Sequence, residues 1–356
     1  NPNWEKNLRE VIRIGVDNKD VVKYIINTGD NSNGFPARDK NISIGEMQSL
    51  SNVLSNVEDI IPLQLIGNHD TNVEEDGSQN IPNTFTQALT KKEQADYNIV
   101  PFNKNGVILG SRVIGGETVY DTYYYLDDAT HKIRFIAIDY QDYPIEPQTQ
   151  ESHGVNFDAT KMKYHFGYIL SQRQLDWLIG ALMSTPEDYG IILLSHQIPD
   201  PMYTTGDFYQ GIDLIPGIID AYKRRTSFFK ISEINDRSGY RWPELDTTVN
   251  CDFSVKSQTE FICILGGHIH TREIIEVVSG KNIVAITSAN LFQGGFSLNV
   301  VYRLPHLKRL YRGSENTRNS FNIISINRES RKITVVKAGA RIGLNVDDEI
   351  TSVISY

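Results

Sequence analysis

Ile61-Pro62-Leu63-Gln64-Leu65-Ile66 is an apolar run that stops abruptly at Gly67-Asn68-His69-Asp70. Its length and character predict a buried strand, with Pro62 near the start where a missing N–H is tolerated. The residues that follow are turn formers, and they also carry metal-ligand atoms. The same arrangement recurs upstream. Residues 21–26 form a β-branched run with Lys23 as its only charge, ending at Asn27-Thr28-Gly29-Asp30. Between the two runs, Ile44, Met47, Leu50, Leu54 and Val57 repeat at helical spacing, and Trp4, Leu8, Val11 and Ile12 do so ahead of them. Two helix–strand units in succession, each strand ending in glycine and polar residues, are the rhythm of an α/β sheet. Sites in such sheets collect outside the carboxyl ends of strands.

Downstream the rhythm continues. Residues 101–140 alternate and are rich in β-formers, with turns at Gly115-Gly116 and Asp127-Asp128. Ser171 with Gln174 three later predicts a capping box that opens a helix carrying Leu175, Leu178 and Leu182 on one face. Residues 191–194 read as a buried strand ending at Ser195-His196, and 261–265 as another ending at Gly266-Gly267-His268-Ile269-His270. The stretch 199–258 breaks the pattern and reads as a cap-like insertion over the site. Residues 283–286 read as a further strand, and two final strands are expected at about 321–337. The whole chain, 1–356, reads as one domain.

The 356 residues are enough to bury a large core without staples. Hydrophobic residues make up 40% and charged residues 22%, which excludes disordered, collagenous and coiled-coil classes. No apolar run approaches the ~20 residues of a membrane helix, and the opening Asn1-Pro2-Asn3-Trp4 leads straight into helical sequence without a signal peptide. A soluble protein, cytoplasmic or associated with a phage particle, is expected, with no membrane partner. The net charge of −9 repels phosphate backbones, so nucleic acid is not an expected partner. Two cysteines, Cys251 and Cys263, are too few for a disulfide scaffold or a zinc ribbon.

Four strands therefore end in ligand-type residues: Gly29-Asp30, Gly67-Asn68-His69, Ser195-His196 and Gly267-His268-Ile269-His270. Carboxylate, amide oxygen and imidazole together suit Mn²⁺, Fe²⁺, Zn²⁺ or Co²⁺. Singly, Gly-Asp and Asn-His-Asp read equally well as turns, while the two histidines of Gly-His-x-His face one side and are the stronger signal, with a structural zinc site as the alternative. Together, in this order, they resemble the calcineurin-like metallophosphoesterase superfamily, over roughly residues 21–271. The texture around Tyr164-His165-Phe166-Gly167-Tyr168 is similar to members found in phage and bacterial genomes.

The resemblance implies a four-layer α/β/β/α sandwich of two mixed β-sheets flanked by helices, with two divalent metal ions at the strand ends. It implies that Asp30 bridges the metals, that Asn68, His196 and His268 complete one site with it, and that His270 binds the other. His69 acts near the leaving group. Metal-bound water, its pKa lowered towards about 7, attacks a phosphoester in line. Two departures matter. The family pattern opens with a strand carrying Asp-x-His, and no such pair precedes Val21. The chain is accordingly read as a fragment lacking that strand, or else as one with an impaired mononuclear site. Asn33 stands where many relatives carry a carboxylate paired with the catalytic histidine. It can accept a hydrogen bond from His69 but cannot stabilise the charged form. Asp70, Asp139, His165 and Arg272 are further candidates for contact with the ligands or the substrate, and Tyr140, Tyr143 and Tyr203 for a groove lining.

The expected function is metal-dependent hydrolysis of a phosphodiester or phosphomonoester, on a small molecule or a polymer. The alternative is a non-catalytic structural or binding module, for example in a phage particle, that keeps the fold with an incomplete metal site. A nuclease of the same superfamily is disfavoured by the charge.

Overall fold

The computed structural model describes residues 4–32, 39–72, 87–142, 145–146, 151–152, 167–200, 208–209, 214–232, 246–268, 274–288, 320–339 and 351–356. The chain is of the α/β class, with several mixed and antiparallel sheets and five α-helices among the described residues.

The first two strands lie where the sequence puts them. Helix α1 (Trp4–Asp17) leads to β1 (Tyr24–Asn27), and α2 (Lys40–Ser55) leads to β2 (Ile61–Gln64). Asp39 caps α2, its carboxylate accepting from the Asn41 N–H at 2.9 Å. Strands β1 and β2 pair in parallel, Tyr24 opposite Ile61 and Asn27 opposite Gln64. Both therefore end on the same edge.

A seven-stranded sheet forms the centre. In chain order its members are β3 (Ile108–Ile114), β4 (Glu117–Asp128), β5 (Ile133–Ile138), β6 (Gly190–Ser195), then, after a two-stranded hairpin β7 (Ser227–Ser232) and β8 (Thr247–Asp252), β9 (Glu260–Gly266), β10 (Ile274–Ile275) and β11 (Ala285–Thr287). Their spatial order is β10-β11-β9-β6-β5-β4-β3. Strands β5, β6, β9 and β11 run parallel, with Ile138 opposite Ser195, Leu194 opposite Leu265 and Gly266 opposite Thr287. This register lines up their carboxyl ends. A three-stranded antiparallel sheet, β12 (Ser320–Asn327), β13 (Lys332–Gly339) and β14 (Thr351–Ser355), closes the chain.

Strand alternation sorts the core. From β6, Ile191 and Leu193 enter one cluster, with helices α4 (Gln172–Met183) and α5 (Leu214–Arg224) through Leu175, Leu178, Ile215 and Ile218. Ile192 and Leu194 enter the other, with Leu63 and Leu65 near β2, Ile333 and Val335 of β13, and the half-buried Tyr24 and Ile26 of β1. Ile25, pointing the other way, packs with Leu8 of α1 and Leu50 and Leu54 of α2. Helix α5 falls inside 199–258, where a cap was expected. Its apolar side is instead part of the main core, and the hairpin β7–β8 packs there through Phe228, Val249 and Cys251. Among the described residues, no helix is long and apolar enough to cross a membrane.

Two polar clasps join these sheets. Arg328 donates to Glu260 (Nε–Oε2 2.8 Å) and to the Lys132 and Asp188 carbonyls at 2.9 and 2.8 Å. Tyr24 donates to Asp128, which also faces His131 Nδ1 at 2.6 Å, so β1 is tied to the β4–β5 turn. Burial works against the Asp128 charge, but donation from Tyr24 and His131 outweighs it and holds the carboxyl below its ordinary value. A carboxyl lowered on folding stabilises fully above its unfolded pKa of about 4, and that contribution disappears as pH falls through the folded value. The melting-temperature gap between wild type and Asp128→Asn should accordingly be widest above about pH 4 and narrow below it. A gap that stays constant on acidification would refute this linkage.

Candidate metal centre

The carboxyl ends of β1, β2, β6 and β9 bring Asp30, Asn68, His69, His196 and His268 together. Asp30 follows β1 by three residues in a left-handed backbone (φ 57°), and His268 follows β9 in another (φ 40°). Non-glycine residues held there cost of order 1–3 kcal/mol, and such positions cluster at functional sites. Asn68 and His69 open a 3₁₀ turn, Asn68–Thr71, directly after Gly67. Glycine is required at 67 because a Cβ there would lie 2.1 Å from Asp30 Oδ1 and 2.3 Å from its backbone nitrogen. His196 stands two residues beyond Leu194 and, by alternation, on the same side.

The donor atoms converge. Asn68 Oδ1 lies 3.1 Å from His196 Nε2 and 3.0 Å from His268 Nδ1, and those two nitrogens are 3.3 Å apart. Asp30 Oδ1 is 3.3 Å from His196 Nε2. Ligands about 2.1 Å from an ion sit about 3.0–3.4 Å apart on adjacent tetrahedral or octahedral positions. The spacing in this cluster falls in that range. Among the described residues, no three His, Cys, Asp or Glu side chains by themselves form a group ready to hold an ion; the Asn68 amide oxygen is the atom that links the two imidazoles.

The protons are informative too. Thr28 O accepts from His196 Nδ1 at 2.6 Å, and a carbonyl can only accept. This fixes the hydrogen on Nδ1 of a neutral imidazole and turns the Nε2 lone pair towards oxygen acceptors. An orienting carbonyl of this kind is the usual partner of a metal-binding histidine. A cation between these atoms would satisfy the Nε2 lone pair together with the Asn68 and Asp30 oxygens. Burial opposes a charge on His196, but the Asp30 carboxylate outweighs it and raises the imidazole above the ordinary histidine value. The donor set therefore fits a borderline divalent ion on the chemistry of its atoms.

His69 stands beside this group rather than in it. Its Nε2 is 4.0 Å from Asp30 Oδ2, and its backbone N–H donates to Asp30 Oδ1 at 3.2 Å. Asp70 lies beneath, fully buried. It accepts from Gly67 N, Ser32 N and Asn31 Nδ2 at 2.8, 2.8 and 2.9 Å. Burial, and then the nearby Asp30 charge, push its carboxyl up to about 7.

Asp139 follows β5 on the same edge, but its carboxylate turns inward to Lys91 Nζ (2.6 Å), to the Thr122 hydroxyl and to Gln141 N (2.7 Å). It anchors the scaffold and does not face the donor cluster. The Ser171–Gln174 pair forms only half of the expected capping box. Ser171 does cap α4, its hydroxyl accepting from Gln174 N at 3.1 Å. The Gln174 amide, however, pairs with Asp139 N and O at 2.7 and 2.8 Å rather than returning to the cap. Tyr140, a candidate groove residue, is buried in the main core. His270, Asn33, His165, Arg272, Tyr143 and Tyr203 lie outside the described residues. Sequence reasoning did not identify Thr28, which acts through a backbone carbonyl, or Asn31 and Ser32, which have no ligand-like signature.

No family model matches the chain, and no curated protein matches it by sequence.

Proposed function

We propose that this protein is a divalent-metal-dependent phosphoesterase of the calcineurin-like type, built as an α/β/β/α sandwich with its centre at the strand ends. What carries the reading is the convergence of Asp30, Asn68, His196 and His268 at spacings of 3.0–3.3 Å, with His69 alongside. The layered packing of α1 and α2, the β1–β2 pair, the seven-stranded sheet, and α4 with α5 supports the same architecture.

In this reading Asp30, Asn68, His196 and His268 would hold one ion, and Asp30 with His270 would hold a second. A bound divalent ion polarises the phosphoryl oxygens and acidifies the attacking water. The chain's own groups do the rest. Thr28 keeps the His196 proton on Nδ1, so that Nε2 faces the ion. His69 gives a proton from Nε2 to the leaving oxygen. The substrate is a phosphodiester or phosphomonoester on a small molecule or a polymer.

The test is turnover of bis(p-nitrophenyl) phosphate and p-nitrophenyl phosphate with Mn²⁺ and with EDTA. Hydrolysis of at least one ester that appears with Mn²⁺ and is abolished by EDTA is expected. Equal, background turnover of both esters under both conditions would overturn the proposal.

A further inference from the structure

The donor cluster is assembled from loops that follow different strands, so something must fix the distance between them. The loop after β1 carries Asp30 and the loop after β2 carries Asn68. They meet at Gly67, where a Cβ would fall 2.1 Å from Asp30 Oδ1, so there is no slack at the contact.

We propose that Asp70 is a positioning residue whose buried carboxylate fastens these two loops together and so sets Asp30 against Asn68. The inference rests on the metal-centre reading above and extends it to a group that touches neither ion nor substrate. Asp70 Oδ2 accepts from Gly67 N at 2.8 Å, on its own loop, and from Asn31 Nδ2 at 2.9 Å, on the other. Its Oδ1 accepts from Ser32 N at 2.8 Å and from Ser32 Oγ at 3.3 Å. Asn31 extends the bracket, donating to Leu65 O at 2.7 Å and accepting from Asn27 Nδ2 at 2.6 Å. Asp70 and Asn31 thereby join the ends of β1 and β2 through side chains that are both buried.

Each oxygen of Asp70 faces at least one N–H that can only donate. A carboxylate satisfies both sides. An amide cannot, because its NH₂ must oppose Gly67 N and Asn31 Nδ2 in one orientation or Ser32 N in the other. Asp70→Asn thus parts the loops with almost no change in side-chain volume. Groups that orient metal ligands typically cost about 10–100-fold in metal affinity when removed.

The test titrates wild type and Asp70→Asn with Mn²⁺ and records the absorption spectra of their Co²⁺-loaded forms, with circular dichroism of both as a check of folding. Asp70→Asn should remain folded, bind Mn²⁺ about 10–100-fold more weakly, and shift its Co²⁺ bands. Equal affinity with an unchanged Co²⁺ spectrum would overturn the role of Asp70 while leaving the centre intact. Wild type that binds no Mn²⁺ would overturn the centre, and Asp70's role with it. Should Asp70→Asn fail to fold, Asn31→Ala replaces it: weakened Mn²⁺ binding supports the bracket and wild-type affinity refutes it.

Discussion

Replacing His69 with alanine is expected to lower kcat about 10²–10⁴-fold, the range lost with a general acid, while the protein keeps its bound metal. The structure separates the two effects. The side chain of His69 stands 4.0 Å from Asp30 Oδ2 and outside the group of converging donors. The contact that His69 makes to Asp30 Oδ1 comes from its backbone N–H, which alanine retains. The variant therefore removes the imidazole without removing the support of Asp30. Steady-state kinetics on a phosphodiester, with metal analysis of the same samples, reads both quantities. Unchanged turnover would remove His69 from the chemistry, and lost metal would make it a ligand instead.

The second large effect is on stability. Lys91 and Asp139 form an ion pair with side chains only 5% and 1% exposed, and Thr122 and the Gln141 N–H add to the carboxylate's partners. Breaking such a pair from one side leaves a buried charge without its counterion, which costs about 3–5 kcal/mol. Lys91→Met should therefore lower the unfolding free energy in urea by about that amount. The double variant Lys91→Met with Asp139→Leu should recover part of the loss, because it removes the stranded charge as well. The pair sits close to the centre in the chain. Lys91 begins α3 (Lys91–Asn98), and Leu89 N donates to Thr71 O at the end of the Asn68–Thr71 turn. A single variant within about 1 kcal/mol of wild type would show that the pair does not hold the scaffold.

What the sequence made legible was local. Glycine followed by polar residues marks where β1, β2 and β9 stop, and Ser195 marks the end of β6, so Asp30, Asn68, His196 and His268 could be named before their contacts were known. The cap at Ser171 was legible for the same reason: its bond is to the N–H three residues on. What escaped depends on distant partners. Asp139 reads as a candidate for contact with the site because its counterion lies 48 positions away. Gln174 reads as half of a capping box, yet it packs over the end of β5 and finds Asp139 there. Helix α5 lies in the stretch that breaks the pattern and carries Pro216 and Gly217. The proline falls in the first turn, where it is tolerated, and the Phe228 ring fills the space above the glycine, 2.3 Å from where a Cβ would be. Strand β14 is only five residues long and mixes Thr and Ser with Val and Ile, so its identity comes from pairing with β13 rather than from its own propensity.

The most direct test of the central claim is manganese retained per chain after loading and desalting, in wild type and in His196→Ala. Wild type should keep the metal and the variant should lose it, because His196 Nε2 is the atom within 3.3 Å of all three other donors. Equal retention by the two proteins, or none by wild type, would contradict a metal centre at these strand ends.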